Sequence, residues 1–234
     1  MIPRTLFGSE HETFRDSVRR FMEAEVVPND ERWQEQGYAD REAWRKAGEN
    51  GFLCPSMPAE YGGAGADRLY SVVLLEEQAR ANCSSLGFGL HSEIVAPYLL
   101  SYGSEALKKK YLPRMAAGEM IAAIAMSEPG AGSDLQAVKT TAVKKSDHYL
   151  VNGSKTFITN GWNCDLAIVV AKTDPSKGAK GTSLLIVDTS MKGFTKGKRL
   201  KKVGLKGQDT AELFFDNVAV PAENLLGEEN NGFI

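Results

Sequence analysis

Ala125-Met126-Ser127-Glu128-Pro129-Gly130-Ala131-Gly132-Ser133-Asp134 marks where the chain changes texture. Before Gly118 the residues read as helix; from Ile121 to Ser127 onward they read as β-branched-rich strands separated by turn residues. Chemically, Gly130 and Gly132 let the backbone approach a ligand closely. Ser127 and Ser133 offer hydroxyl donors, and successive N–H groups can converge on an anion or a polar ring. The same residues also describe a plain tight turn, in which Pro129 sets φ, the glycines relax it and Asp134 bonds its own backbone. Residue types alone leave both readings open.

Upstream, Ser9 and Glu12 have the spacing of a capping box, and Phe14, Val18, Phe21 and Met22 then recur at helical intervals. Further helices are predicted at Arg41 to Asn50, Asp67 to Ala81, Ile94 to Tyr102 and Ser104 to Met115. Downstream, strands are predicted at Ile121 to Ser127, Lys139 to Lys144, Tyr149 to Val151, Lys155 to Thr159, Leu166 to Lys172, Thr182 to Val187 and Ala211 to Val220. Asn152-Gly153 carries the signal of a two-residue hairpin turn. The expected fold is α+β, with an all-α domain over 1–117 followed by an antiparallel β-sheet or barrel domain over 118–234.

Composition narrows the function classes. The chain of 234 residues is 42% hydrophobic, enough to give each part a core. Lys and Arg number 28 against 30 Asp and Glu, so no overall field draws nucleic acid or an acidic membrane surface. The basic run Lys196, Lys198, Arg199, Lys201, Lys202 has no interleaved aromatic beyond Phe194 and reads as an exposed face. The longest apolar run, Met120 to Met126, is far short of the roughly 20 residues that cross a bilayer. Met1 to Glu12 reads neither as a secretory signal nor as a transit peptide, and a cytoplasmic address is expected. Cys54, Cys83 and Cys164, like His11, His91 and His148, are scattered, so neither a disulfide framework nor a metal site is expected. Gly63-Ala64-Gly65 has Arg68 where a dinucleotide fingerprint needs its last glycine, and no Walker-type sequence occurs.

Four stretches in order carry a resemblance. The decapeptide Ala125 to Asp134 resembles the flavin-binding motif of the acyl-CoA dehydrogenase family. Lys155-Thr156-Phe157-Ile158-Thr159-Asn160-Gly161 looks like its second flavin-contacting strand. Lys202 to Phe215 resembles the strand pair of its middle domain. Val220-Pro221-Ala222-Glu223-Asn224-Leu225-Leu226-Gly227, with Gly232-Phe233, resembles the exit toward its last domain. Gly89-Leu90-His91-Ser92 and Leu205 to Phe215 lean toward the long-chain branch.

The resemblance implies FAD as cofactor, fatty acyl-CoA as substrate and an electron-transferring flavoprotein as electron acceptor. It implies α,β-dehydrogenation to a trans-2-enoyl-CoA, with the β-hydride passing to flavin N5. Ser127 is then expected to donate toward the N1/O2 side of the isoalloxazine, Thr159 to bond near N5, and Phe157 to lie against the ring face. Ile124, Ala125, Met126, Ser127, Gly132 and Ser133 supply the loop contacts, and Ile158 lies between Phe157 and Thr159. Ser133 lies at a phosphate or thioester arm, of FAD or of CoA, and Lys180 is the candidate for a CoA phosphate. The helices around Leu86 to Leu100 resemble the family's acyl tunnel. No catalytic base is assigned: the family's glutamate comes after the motif that is here Gly232-Phe233, and the C-terminal four-helix domain is expected to be absent, as is the tetramer core it builds in a homo-oligomer. Two other classes share these features. One is a same-fold acyl-CoA oxidase or flavin monooxygenase; the other is a non-catalytic module.

Overall fold

The apolar spacing of the first helix carries on further than its capping signal suggests. In the computed structural model, which describes residues 5–233, helix α1 (Ser9–Phe21) runs through a π turn (Met22–Val26) into α2 (Val27–Gln36). Met1 to Arg4, the start of the segment read for a leader, and Ile234 lie outside the described residues. The cap falls one residue before the expected Ser9. Gly8 precedes the helix in extended backbone, its N–H donates to His11 Nδ1 at 3.0 Å, and Glu12 pairs with Arg15 instead of closing a capping box. α2 was not foreseen because Pro28 and a polar run hide it. Pro28 lies in the first turn, where a missing N–H costs little.

The remaining helices match the predicted segments to within a few residues: α3 (Arg41–Glu49), α4 (Arg68–Arg80), α5 (Ala96–Tyr102) and α6 (Glu105–Ala116). Asp67 caps α4 by accepting from Leu69 N–H at 2.8 Å, and Ser104 caps α6. A second π turn (Leu90–Val95) leads into α5.

Among the described residues, eight strands form one sheet: β1 (Ala122–Ala125), β2 (Thr141–Lys144), β3 (His148–Thr159), β4 (Leu166–Lys172), β5 (Thr182–Asp188), β6 (Phe194–Arg199), β7 (Thr210–Pro221) and β8 (Leu225–Leu226). Their order is β6-β7-β3-β2-β4-β5-β8, with β1 alongside β4. Most pairings are antiparallel as expected, but β1 runs parallel to β4, and β2 meets β4 in parallel at Thr141 and Lys172. The sheet is therefore mixed. Side chains alternate between two cores. Ile124, Leu166, Ile168 and Val170 join α5 and α6 on one face, while Ala125, Ala167, Val169 and Ala171 join β3 and β7 on the other.

The hairpin expected at Asn152-Gly153 does not exist. β3 runs straight through both residues, opposite a bulge whose extra residue lies on β7 between Phe215 and Val218, and the turn before β3 is at Ser146-Asp147, closed by Lys145 N–H to His148 O. Glycine is needed at 153 for a different reason: a Cβ there would come 2.4 Å from the Oγ1 of Thr140, the residue just before β2.

The joint between halves is polar. His91, fully buried, accepts from Ala122 N–H at Nδ1 (3.1 Å) and lies 3.1 Å from Met115 O through Nε2, so it links the end of α6 to the start of β1 as a neutral ring. Burial pulls its pKa down to about 4.

Candidate flavin site

Strand β1 delivers Met126 and Ser127 to a turn that the backbone closes on itself. Glu128 and Ala131 exchange N–H···O bonds at 2.9 and 3.0 Å across Pro129-Gly130. The Glu128 carboxylate turns inward and accepts from the Lys139 N–H (2.6 Å), the Thr140 N–H (3.0 Å) and Lys155 Nζ (2.9 Å). Lys155, only 1% exposed, also donates to Met126 O at 2.9 Å. Thr156 N–H then donates to Ser127 O at 2.9 Å. The motif loop and β3 are thus laced side by side by an ion pair and two bonds to backbone carbonyls. Burial pushes the Glu128 carboxyl upward, but Lys155 and the main-chain donors outweigh it and hold its pKa below the ordinary range. Burial also draws Lys155 below its ordinary value, opposed by the same carboxylate.

Beyond Lys155 the pairing of β3 with β7 slips by one residue, between Lys155 opposite Leu213 and Ile158 opposite Ala211. The extra residue bends the strand and re-aims its side chains. Phe157 takes up the bulge at φ +58°, a conformation costing on the order of 1–3 kcal/mol for a bulky residue. Phe157 is 69% exposed, while Thr156 and Ile158 on either side are buried. An aromatic ring held out of a strand by strained backbone suits stacking on a flat partner.

The polar edges are open as well. Among the described residues, the hydroxyls of Ser127, Ser133 and Thr159 have no hydrogen-bond partner within the protein, and Ser127 and Thr159 are half-buried. Gly130 and Gly132 have no positive φ, and a Cβ at either would meet nothing within 4 Å. The turn itself does not demand these glycines, which leave the outer surface of the loop bare for a ligand to approach. Exposed ring, unpartnered hydroxyls and bare backbone fit an isoalloxazine.

Residues 8–119 match the acyl-CoA dehydrogenase N-terminal domain and residues 123–218 the acyl-CoA dehydrogenase middle domain. The chain belongs to the acyl-CoA dehydrogenase family. It is 52% identical over 232 residues to the long-chain specific acyl-CoA dehydrogenase, mitochondrial, of Sus scrofa, covering 98% of this chain and 54% of that one. It superposes with a TM-score of 0.96 on the acyl-CoA dehydrogenase of Geobacillus kaustophilus, at 52% identity, covering 99% of this chain and 61% of that one. An acyl-CoA dehydrogenase from Bacillus anthracis complexed with FAD matches with a TM-score of 0.90 at 37% identity, covering 99% of this chain and 39% of that one. Members of this family bind FAD. The chain spans about half the length of the curated relatives it matches.

Within this acyl-CoA dehydrogenase portion, the structure sorts the residues named from the sequence. Met126, Ser127, Phe157 and Thr159 come to adjoining positions on the laced loop and strand. Ala125 and Ile158 are core residues, able to meet a ligand only through their main chain. Ile124 and Met126 line an apolar cavity of about 470 Å³ with Tyr98, Leu135, Leu184 and Phe233. Gly132 and Ser133 lie on the exposed arm of the loop. The short turn that follows, Leu135–Ala137, packs on the turn Pro175–Gly181 that carries exposed Lys180. A second cavity of about 480 Å³ lies where Leu75, Leu86 and Leu90 face Leu205 and Gln208.

Sequence reading missed the buried supports. Lys155 and Glu128 stand in the sequence only as members of the two motifs. A lysine inside an otherwise apolar strand segment, with a lone acid in the preceding turn, was the available signal.

Proposed function

We propose that this chain forms the flavin-bearing portion of an acyl-CoA dehydrogenase that converts fatty acyl-CoA to trans-2-enoyl-CoA, the long-chain class being favoured by the 52% identity to a long-chain specific relative. FAD, when bound, would supply the acceptor for the substrate's β-hydride. Ser127 and Thr159, with their otherwise unpartnered hydroxyls, would hold the ring by its polar edges, and Phe157 would cover one face. Donors fixed before the reaction stabilise the negative charge of the reduced ring without reorganising. The Glu128–Lys155 pair keeps loop and strand in register. The cavity lined by Leu75, Leu86, Leu90 and Leu205 would take the acyl tail, and exposed Ser133 and Lys180 would meet the phosphate-bearing arm.

No residue of this chain is assigned as the base that takes the α-proton. Glu128 is engaged by Lys155 and two amides, and Glu93 faces Arg68 at 3.8 Å. An electron-transferring flavoprotein is the proposed electron acceptor. A homo-oligomer is supported by exposed Tyr102, Ile94 and Phe233, which need an apolar cover. No helix among the described residues is long and apolar enough to cross a membrane. The unpaired cysteines, all three buried, support a reducing compartment, and we place the protein in the cytoplasm on that ground.

The observation that carries the proposal is the Thr156-to-Ser127 backbone bond beside the outward Phe157. The test is titration with FAD, followed by anaerobic addition of acyl-CoA. Saturable quenching of flavin fluorescence is expected, weakened about tenfold by Ser127→Ala and again by Thr159→Val. Bleaching of the bound flavin by acyl-CoA supports dehydrogenation, whereas rapid peroxide formation in air points to an oxidase. Absence of FAD binding contradicts the reading.

A further inference from the structure

Thr159 is the last residue of β3, and what holds it in place is the turn that follows. Asn160 at φ +61° begins the turn; Gly161 N–H returns to Ile158 O at 3.0 Å and Cys164 N–H to Asn160 O at 2.7 Å. The donors and acceptors of this turn are gripped from opposite sides. Asp209, 4% exposed, accepts from Trp162 N–H at 2.7 Å, and the Asn163 main chain lies beside its carboxylate. Its own carbonyl accepts from Asn160 N–H at 3.0 Å. Lys196 on β6 donates to Trp162 O and Cys164 O, each at 2.7 Å. The next residue after Asp209, Thr210, is the β7 partner of Thr159 itself.

We propose that Asp209 is a positioning residue of the flavin site, which together with Lys196 clamps the turn 160–164 and thereby fixes the Thr159 hydroxyl. The inference rests on the flavin reading above and extends it to residues that touch no ligand. A carboxylate accepting from adjacent amides holds a turn more firmly than a neutral acceptor does. Other contacts preserve the fold when the clamp loosens. Arg41 donates to Asn163 O and pairs with Asp165, and the Asn160 side chain donates to Gly87 O and Ala122 O. The clamp therefore acts on the aim of Thr159 more than on global stability.

Titration offers a readout that simple packing does not. Burial pushes the Asp209 carboxyl up to about 6, while Lys196 from β6, Lys202 from the segment between β6 and β7, and the amides of the turn pull it down; Cys164 is the other titratable group beside it. Protonation removes one acceptor from the clamp. FAD affinity of the unsubstituted protein is accordingly expected to fall about tenfold from about pH 7.5 to about pH 5.

The experiment measures FAD affinity by fluorescence quenching across that range for the unsubstituted chain, Asp209→Asn, Thr159→Val and the double variant. D209N is expected to bind about tenfold more weakly at neutral pH, with a flattened profile, and to add little to T159V. Equal affinity and an unchanged profile for D209N overturn the proposal, as does a full additive loss in the T159V background. Should D209N fail to fold, T159V alone decides: a lost pH dependence supports the clamp and a retained one overturns it. Failure of the unsubstituted chain to bind FAD would instead overturn the reading of the site, and the clamp with it.

Discussion

Of the carboxylates almost sealed from solvent among the described residues, Glu77 and Glu128 have partners that differ in kind. Glu77 on α4, 3% exposed, is met by arginines: Arg19 binds both oxygens at 2.9 and 3.1 Å, and Arg15 adds a bond at 3.2 Å. Glu128, 8% exposed, is met by one inaccessible lysine and two backbone amides. The first staples α1 to α4. The second dictates the path of a loop whose outer side is bare glycine and free hydroxyl. A buried charge that binds side chains holds elements together; one that binds main-chain donors builds a contour.

The sharpest way to break this contrast is Lys155→Met. It leaves the Glu128 carboxylate buried without a countercharge and is expected to cost about 3–5 kcal/mol in urea unfolding and to abolish FAD binding. Stability within about 1 kcal/mol of the unsubstituted chain would show the pair to be dispensable.

The next effect is acid-dependent and lies at the joint between halves. The folded pKa of His91, about 4, is below its unfolded value of 6.5. Its contribution is therefore complete above about pH 6.5 and is lost as pH falls through about 4, on the order of 3 kcal/mol in all. Asp209 has the opposite sign: its folded pKa, about 6, is above its unfolded 3.8, so stability falls as pH rises through that window. The two slopes oppose each other, and D209N is expected to steepen the acid loss measured by denaturation between about pH 6 and pH 4.

Glu77→Gln is expected to cost about 1.5–3 kcal/mol, because bonds to the guanidinium groups of Arg19 and Arg15 weaken together, while FAD affinity stays unchanged. A change in affinity would merge the two carboxylates into one class and remove the comparison. The smallest effect belongs to Phe157→Gly. Relief of the left-handed backbone is expected to leave stability unchanged or raise it by about 1 kcal/mol, while FAD binding weakens. Destabilisation would mean that the ring packs on the protein and not on a ligand.

The helices were legible because their signals are local: Asp67 and Ser104 announce α4 and α6 by their side chains, and Leu166 to Lys172 states β4 in β-branched residues. Asn152-Gly153 misled for a tertiary reason. Its glycine serves the close approach of Thr140, which no local pattern records. The parallel run of β1 beside β4 was equally hidden, since both strands are apolar on both faces and their alternation carries no direction. At the site, the two ligand-facing stretches were readable by resemblance as Ser127 and Phe157-Ile158-Thr159. The supports Lys155, Asn160 and Asp209 act through bonds to residues as far as 73 positions away. Such partners appear only once the chain has folded.

The central claim is that one face of the laced loop and strand receives the flavin. Hydrogen–deuterium exchange with and without FAD tests it most directly. Protection confined to 126–133 and 157–160, with α1 and α4 unchanged, is the expected result. Protection elsewhere, with those two segments exchanging as fast as in the unliganded chain, would contradict it.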